Sequence, residues 1–305
     1  MAHSALPRRD QTTGGGATLS TRAGLLRLGA LALVALAAAL LLWQLVPRLV
    51  LFVETAAAFI RWPWTIDRDE AVSLHSAYLL SQGRDIYAID PHGFIATPYP
   101  PLLSAVGAAA LLAGVPDFVG GRLLSLLAAL ACAWLGGYLV ARECGSRLAG
   151  GLAGALFLAL SPTIIWAPFY KQDFPAMALG LAGLAWLARW PDGRRAYGAL
   201  PWFALAFLMK QTALIAPAAG VLYLLWRDWR AGWRFALACA AVLVVPFAAL
   251  DLATRHGYYT HLITYHAFPW QGPLFRENLR TMVNHHSLIL ALAALGLAIS
   301  AASPP

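Results

Sequence analysis

An all-α bundle of membrane-crossing helices is the fold class this sequence predicts, and three observations predict it. Of 305 residues, 60% are hydrophobic and only 12% are charged, so the apolar runs exceed anything a soluble core uses. The arginines come in short clusters between those runs, as in the cytosolic loops of membrane proteins. Six of the fourteen acids fall between Glu54 and Tyr99, so a single loop gathers much of the negative charge. The net charge of +8 therefore reflects topology, and nucleic acid is not an expected partner. Cys132, Cys144 and Cys239 have no neighbour at metal-ligand or redox-motif spacing and read as packing residues.

Residues 1–23 are polar, glycine-rich and without aromatics, which predicts a disordered cytosolic tail. The transmembrane domain covers residues 24–305. Its first span, Leu25–Val46, follows Arg8, Arg9 and Arg22, includes Arg27 and is longer than the apolar core of a cleaved signal, so it is an anchor with the N-terminus inside. The loop from Glu54 to Tyr99 then lies outside the cytosol. Within it a helix starts near Asp69, with Asp69, Ser73 and Ser76 on one face and Ala71, Leu74 and Tyr78 on another; it is expected to lie in the interface as a juxtamembrane helix.

Pro101–Gly114 has fourteen residues, about 21 Å as a helix against the roughly 30 Å of a span. If it crossed, Arg142, Arg147, Arg189, Arg194, Arg195, Arg227, Arg230 and Arg234 would all face outward, against the positive-inside rule. If it lies along the interface, all eight are cytosolic and Val119–Ala141 with Leu148–Trp166 form a hairpin. The second arrangement is the expected one. It brings the turn FYKQDFPA, Phe169–Ala176, to the same non-cytosolic side as Asp69. Met177–Trp190 then returns, Tyr197–Met209 and Thr212–Trp226 form a short pair around Lys210, and Phe235–Leu250 leads to a second outer loop, Asp251–His285. Ser287–Ser300 starts a further span, and the ending SAASPP predicts that C-terminal spans are missing.

The stretch WTIDRDEAVS, Trp64–Ser73, sets three carboxylates within four residues. Asp69 and Glu70 at a helix start are favoured by the macrodipole, and capping alone accounts for Asp67. Lys171 and Lys210 are the two lysines among twenty arginines, each followed by Gln. Lys210, set between apolar arms, needs a wet cavity or an anion, the alternative being a lysine that snorkels to the interface. Asp173 lies between aromatics and Pro175 and reads as a second acid or as a cap paired with Lys171. His92, His285 and His286 lack metal-site spacing and read as loop histidines.

Asp69-Glu70, the helix ending in SQG, then TPYPPLL, GRLLSLLAAL, KQDFPAMALGLAGL and LAFLMKQTALIAPAAG resemble, over Leu25–Trp226, the GT-C class of integral-membrane glycosyltransferases. Bacterial protein O-mannosyltransferases and aminoarabinose lipid A transferases are the similar groups. The resemblance implies sugar transfer from a polyprenyl-phosphate donor without a nucleotide, at the periplasmic or exterior face of a bacterial plasma membrane. It implies that Asp69 and Glu70 are catalytic and that Asp173 matches a second acid. The aminoarabinose enzymes carry a phosphate-contacting lysine where this chain has Tyr99, so the donor phosphate is expected to meet Lys171, Lys210, Arg122 or an outer arginine, with Tyr99 at the corresponding position.

The expected chemistry assigns Asp69 as general base, Glu70 as its support, Asp173 to orient the acceptor or a divalent metal, and a cation to the departing phosphate. No cofactor is otherwise implied. The acceptor is open, as is whether the sugar is a hexose or a pentose. A transporter or lipid flippase is the rival class, though the acids sit in an outer loop and not on broken helices in repeated halves. An inactive fragment is a further alternative.

Overall fold

A computed structural model describes residues 36, 39, 43–89, 96–267 and 269–302. The expected tail, most of Leu25–Val46, and His92 lie outside the described residues. Those described are helical with no strand among them. In order, the helices are α1 (Trp43–Arg61), α2 (Arg68–Ser81), α3 (Leu102–Leu112), α4 (Val119–Cys144), α5 (Arg147–Ala159), α6 (Ser161–Trp166), α7 (Asp173–Arg189), α8 (Leu200–Met209), α9 (Ile215–Arg227), α10 (Trp229–Ala253), α11 (Gly257–Leu262) and α12 (Gly272–Ala302). By length and apolarity α1, α4 and α10 can each cross a bilayer. This is the helical membrane bundle that the composition predicts.

Two boundaries differ from the sequence reading. Helix α1 continues through Glu54 to Arg61, because Thr55-Ala56-Ala57-Ala58 offers no break, so the acidic loop begins later than Glu54. The span expected at Leu148–Trp166 is divided into α5 and α6 at Leu160, whose backbone is extended. Pro162 in the first turn of α6 has no N–H to continue the ladder. The break is held from α1, where Arg48 donates to the Ala159 carbonyl and to the Ser161 hydroxyl.

Helix α8 has only ten residues, yet a 3₁₀ segment, Gly193–Ala199, runs straight into it. At about 2 Å per 3₁₀ residue and 1.5 Å per α residue, the two together reach roughly 29 Å. The tighter winding gives a short sequence a membrane-sized reach.

Helix α4 packs antiparallel against α5 and, running in the same direction, against α7, while α7 packs on α8 and α9. Contact is close because glycines meet backbone. A Cβ on Gly150 would lie 2.4 Å from the Gly137 carbonyl oxygen, and one on Gly154 would lie 2.7 Å from that of Ala133. At the other end of α4 the Tyr170 ring fills the space above Gly121 and its hydroxyl lies over Gly107 of α3, where Cβ atoms would come within 2.0 and 1.8 Å. Side chains at these positions are sterically excluded.

Helix α3 follows Pro98, whose carbonyl is held by Gln211, and ends at Leu112, seven residues before α4 begins at Val119. Its eleven residues reach about 17 Å, short of the roughly 30 Å of a crossing. Cys144, Arg147, Arg189, Arg227 and Arg230 terminate helices at the end opposite Arg122. Cys132 and Cys239 are buried packing residues as expected, but Cys144 is exposed at the end of α4.

Helix α2 presents a different face inward than its apolar pattern suggests. Glu70, Ser73, Ser76 and Ala77 are buried, whereas Tyr78 is 54% exposed. The small side chains allow α2 to pack closely on α3, Ser76 pairs with Thr97, and an arginine neutralises Glu70. In a Cys132→Ala, Cys239→Ala background, the native Cys144 and an introduced Arg84→Cys should label from opposite sides of the membrane with an impermeant maleimide. Labelling of both from one side would overturn this arrangement.

Candidate active site

The first turn of α2 is built by its own carboxylates. Asp67 caps it, with Oδ1 accepting from the Asp69 amide at 2.8 Å. Glu70, three residues on, reaches back to the Ile66 amide at 2.9 Å, which is capping-box logic. The helix ends at Ser81 with Gly83 at φ +70° just beyond, a left-handed turn that glycine accommodates without strain. The SQG sequence thus marks the stop.

Glu70 is completely buried, and so is Arg122 of α4. Arg122 donates through Nε and Nη2 to the two Glu70 oxygens at 2.9 Å. Its remaining N–H groups go to the carbonyls of Phe59, Trp62 and Trp64. All five guanidinium donors are therefore engaged. Glu70 also accepts from the Tyr170 amide at 2.9 Å. Burial pushes the Glu70 carboxyl upward, but Arg122 and the Tyr170 and Ile66 amides outweigh it and leave it below the usual carboxylate range.

A hundred residues apart in sequence, Lys171 meets the same turn. Its ammonium lies 2.8 Å from Asp67 and 3.1 Å from Asp69, over the Trp166 ring at 4.5 Å. Burial lowers the Lys171 pKa and the two carboxylates raise it further than burial lowers it. Asp67 is likewise raised by burial and drawn below its ordinary value by Lys171 and the Asp69 amide. Lys171 is fixed at its backbone too, where the Ser125 hydroxyl donates to its carbonyl at 2.8 Å.

The second ion pair joins Lys210 to Asp173. Asp173 opens α7 and Lys210 closes α8. Tyr99 lies between the two pairs: burial raises its phenol pKa, the negative charge of Asp69 and Asp173 adds to this, and a hydrogen bond from Gln172 opposes it. Gln211 donates to the Pro98 carbonyl at 2.8 Å. Gln172 and Gln211 each keep a buried side-chain oxygen without a protein partner.

Asp69 faces a cavity of about 720 Å³ lined by Arg68, Val72, His75, Pro98, Tyr99, Tyr265 and His266, among others. Asp67 and Glu70 are not in its lining. The structure thus brings together Asp69, Glu70, Lys171, Asp173, Lys210, Tyr99 and Arg122, but separates their surroundings. Glu70 and Arg122 are sealed in the interior, while Asp69 reaches open space. Arg68, His75, Tyr265 and His266 escaped the sequence reading. Arg68, Val72 and His75 follow one another at helical spacing, i, i+4 and i+7, which was a readable signal; Tyr265 and His266 carried none. Among the described residues no three His, Cys, Asp or Glu side chains gather as a metal-binding group, and the side chains of His285 and His286 lie outside the description.

Arg122→Met would leave a buried carboxylate without its counter-ion and three loop carbonyls without a donor. The expected loss of stability is on the order of 3–5 kcal/mol, read as a lowered unfolding temperature of the detergent-solubilised protein. Because the folded Glu70 pKa is depressed, wild type should lose stability as pH falls below 4.5 toward that pKa, and Glu70→Gln should flatten that acid limb.

No curated protein and no solved structure matches the chain. A family profile described as dolichyl-phosphate-mannose-protein mannosyltransferase matches residues 98–250, half of the chain. That segment runs from the Pro98-Tyr99 wall of the cavity through Arg122, Lys171, Asp173 and Lys210 to the end of α10. An integral membrane helical bundle whose ion pairs meet at one end of its crossing helices accords with glycosyl transfer from a lipid-linked donor, and the chain belongs to the dolichyl-phosphate-mannose-protein mannosyltransferase family.

Proposed function

We propose that this protein moves a sugar from a polyprenyl-phosphate carrier to an envelope lipid, glycan or protein acceptor at the non-cytosolic face of the membrane, with Asp69 as general base. The carrying observation is the division of labour among three neighbouring carboxylates: Glu70 is enclosed by Arg122 and Asp67 caps α2, while Asp69 lines the cavity. An acceptor hydroxyl is a weak nucleophile at neutral pH, and a carboxylate that takes its proton as the glycosidic bond breaks lowers that barrier. The proton goes to Asp69, the sugar to the acceptor oxygen, and the bonding pair to the lipid phosphate.

Charge distribution favours the outer face. The arginine-rich helix ends collect opposite the ion pairs, and arginine-rich ends are retained in the cytosol. A lipid-linked donor keeps its tail in the bilayer, so its phosphate must arrive at the level where these residues emerge. Lys210, 25% exposed beside Asp173, supplies a cation for the departing phosphate. Lys171, held by Asp67 and Asp69, orients the base. Arg68, whose side chain is 92% exposed, adds positive charge at the cavity mouth, whereas Arg122 has no donor left for a phosphate. Asp173 and Tyr99 then orient the sugar or the acceptor between the two pairs.

Asp69→Asn keeps the shape of the first turn and removes the base. Transfer from a polyprenyl-phosphate mannose to endogenous acceptors should fall by about 10²–10⁴, with the unfolding temperature unchanged; retained turnover would make Asp69 a capping residue. Lys210→Met should weaken binding of polyprenyl phosphate or slow turnover, and Lys210→Arg should restore it only in part, since a planar fork differs from a point charge. Equal affinity and turnover in wild type and Lys210→Met would remove Lys210 from the phosphate site.

A further inference from the structure

Far from these ion pairs, α4 and α5 leave a groove of about 340 Å³ on the outside of their hairpin. Ala133, Trp134, Gly137, Tyr138 and Ala141 line one side, and Arg147, Gly150, Gly151, Gly154 and Ala155 line the other. The glycines are of two kinds. Gly137, Gly150 and Gly154 are required for helix contact, since a Cβ on each would strike backbone of the partner helix. Gly151 is not: a Cβ there would meet nothing within 4 Å, and its φ is an ordinary helical one. A glycine inside a helix costs roughly 1 kcal/mol relative to alanine, and packing among the described residues does not account for it. Its effect is to keep the groove open.

The groove has the dimensions and polarity of one lipid leaflet. From Ala133 to Ala141 it extends about 12 Å at 1.5 Å per residue, close to half of a roughly 30 Å hydrocarbon core. Trp134 stands 71% exposed on its rim and stacks on Tyr138. Arg147, at the end away from the membrane centre, is the one charged residue in the lining; Arg142 and Glu143 border a separate cavity against α7 and α9. Among the described residues neither Arg147 nor the Tyr138 hydroxyl has a hydrogen-bond partner. Arginine recognises a phosphodiester through paired donors, and an unpaired cation at this level attracts anionic headgroups.

We infer that this groove is a binding site for an anionic phospholipid, with an acyl chain lying over Gly151 and the headgroup phosphate on Arg147. The site is independent of the sugar-transfer chemistry and belongs to the opposite end of the bundle.

The test is native mass spectrometry of the full chain in detergent, with phosphatidylglycerol and phosphatidylcholine added in equal amounts. Wild type should retain phosphatidylglycerol with a preference of about fivefold, the factor expected for one arginine near the surface. Arg147→Gln should lose the preference and still retain either lipid, whereas Gly151→Leu, which fills the groove, should lose both. Arg147 is exposed and outside the transfer site, so Arg147→Gln keeps the test open if Gly151→Leu fails to fold. Equal retention of the two lipids by wild type, or retention unchanged in Gly151→Leu, would overturn the proposal. A wild-type dimer that Gly151→Leu dissociates would overturn it as well, by showing that a second copy occupies the groove.

Discussion

The buried pair between Glu70 and Arg122 is the constraint on which the other contacts around the site depend. One guanidinium gathers the end of α1, the loop that follows it and the first turn of α2, and fastens them to α4. The carboxylate it neutralises accepts from the Tyr170 amide, which fixes the turn carrying Lys171. Interior ion pairs are costly to desolvate and give little net stability. Their value is geometric: this one is satisfied at every donor, so the segments it joins have a single relative placement.

That placement separates the buried acid from the open one. The paired acids look equivalent in sequence, yet adjacent positions on a helix diverge by about 100°. Glu70 turns inward to Arg122, and Asp69 turns toward Lys171 and the cavity. The Tyr170 ring, seated on Gly107 and Gly121, holds the following turn against α3 and α4. The Asp69 carboxylate therefore stands on a base that cannot shift without unpacking three helices, a preorganisation on which the proposed acid–base role would draw.

Much of this was legible in the sequence. Hydropathy and arginine clusters predicted the helical bundle, and the contrast of two lysines with twenty arginines singled out two cations that pair with the acids. The inward face of α2 was not legible, because a buried Glu70 reads as a polar position until its partner fifty-two residues away is known. Arg122 looked like a free cation for the same reason. The reach of the 193–209 segment was hidden as well, since apolar pattern does not distinguish 3₁₀ from α winding. Tyr265 and His266 were beyond the reading altogether: their place at the cavity is set by long-range packing of α11, where His261 accepts the Thr97 amide.

The cavity is thus enclosed by two kinds of wall. One is the first turn of α2 with the Pro98-Tyr99 segment, tied to the interior through ion pairs and carbonyl bonds. The other is the short 3₁₀ segment Thr264–His266, which lies past the end of the family-matched region at residue 250. The matched segment therefore contributes Pro98 and Tyr99 to the cavity, while Arg68, Asp69 and His75 come before it and Tyr265 and His266 after it.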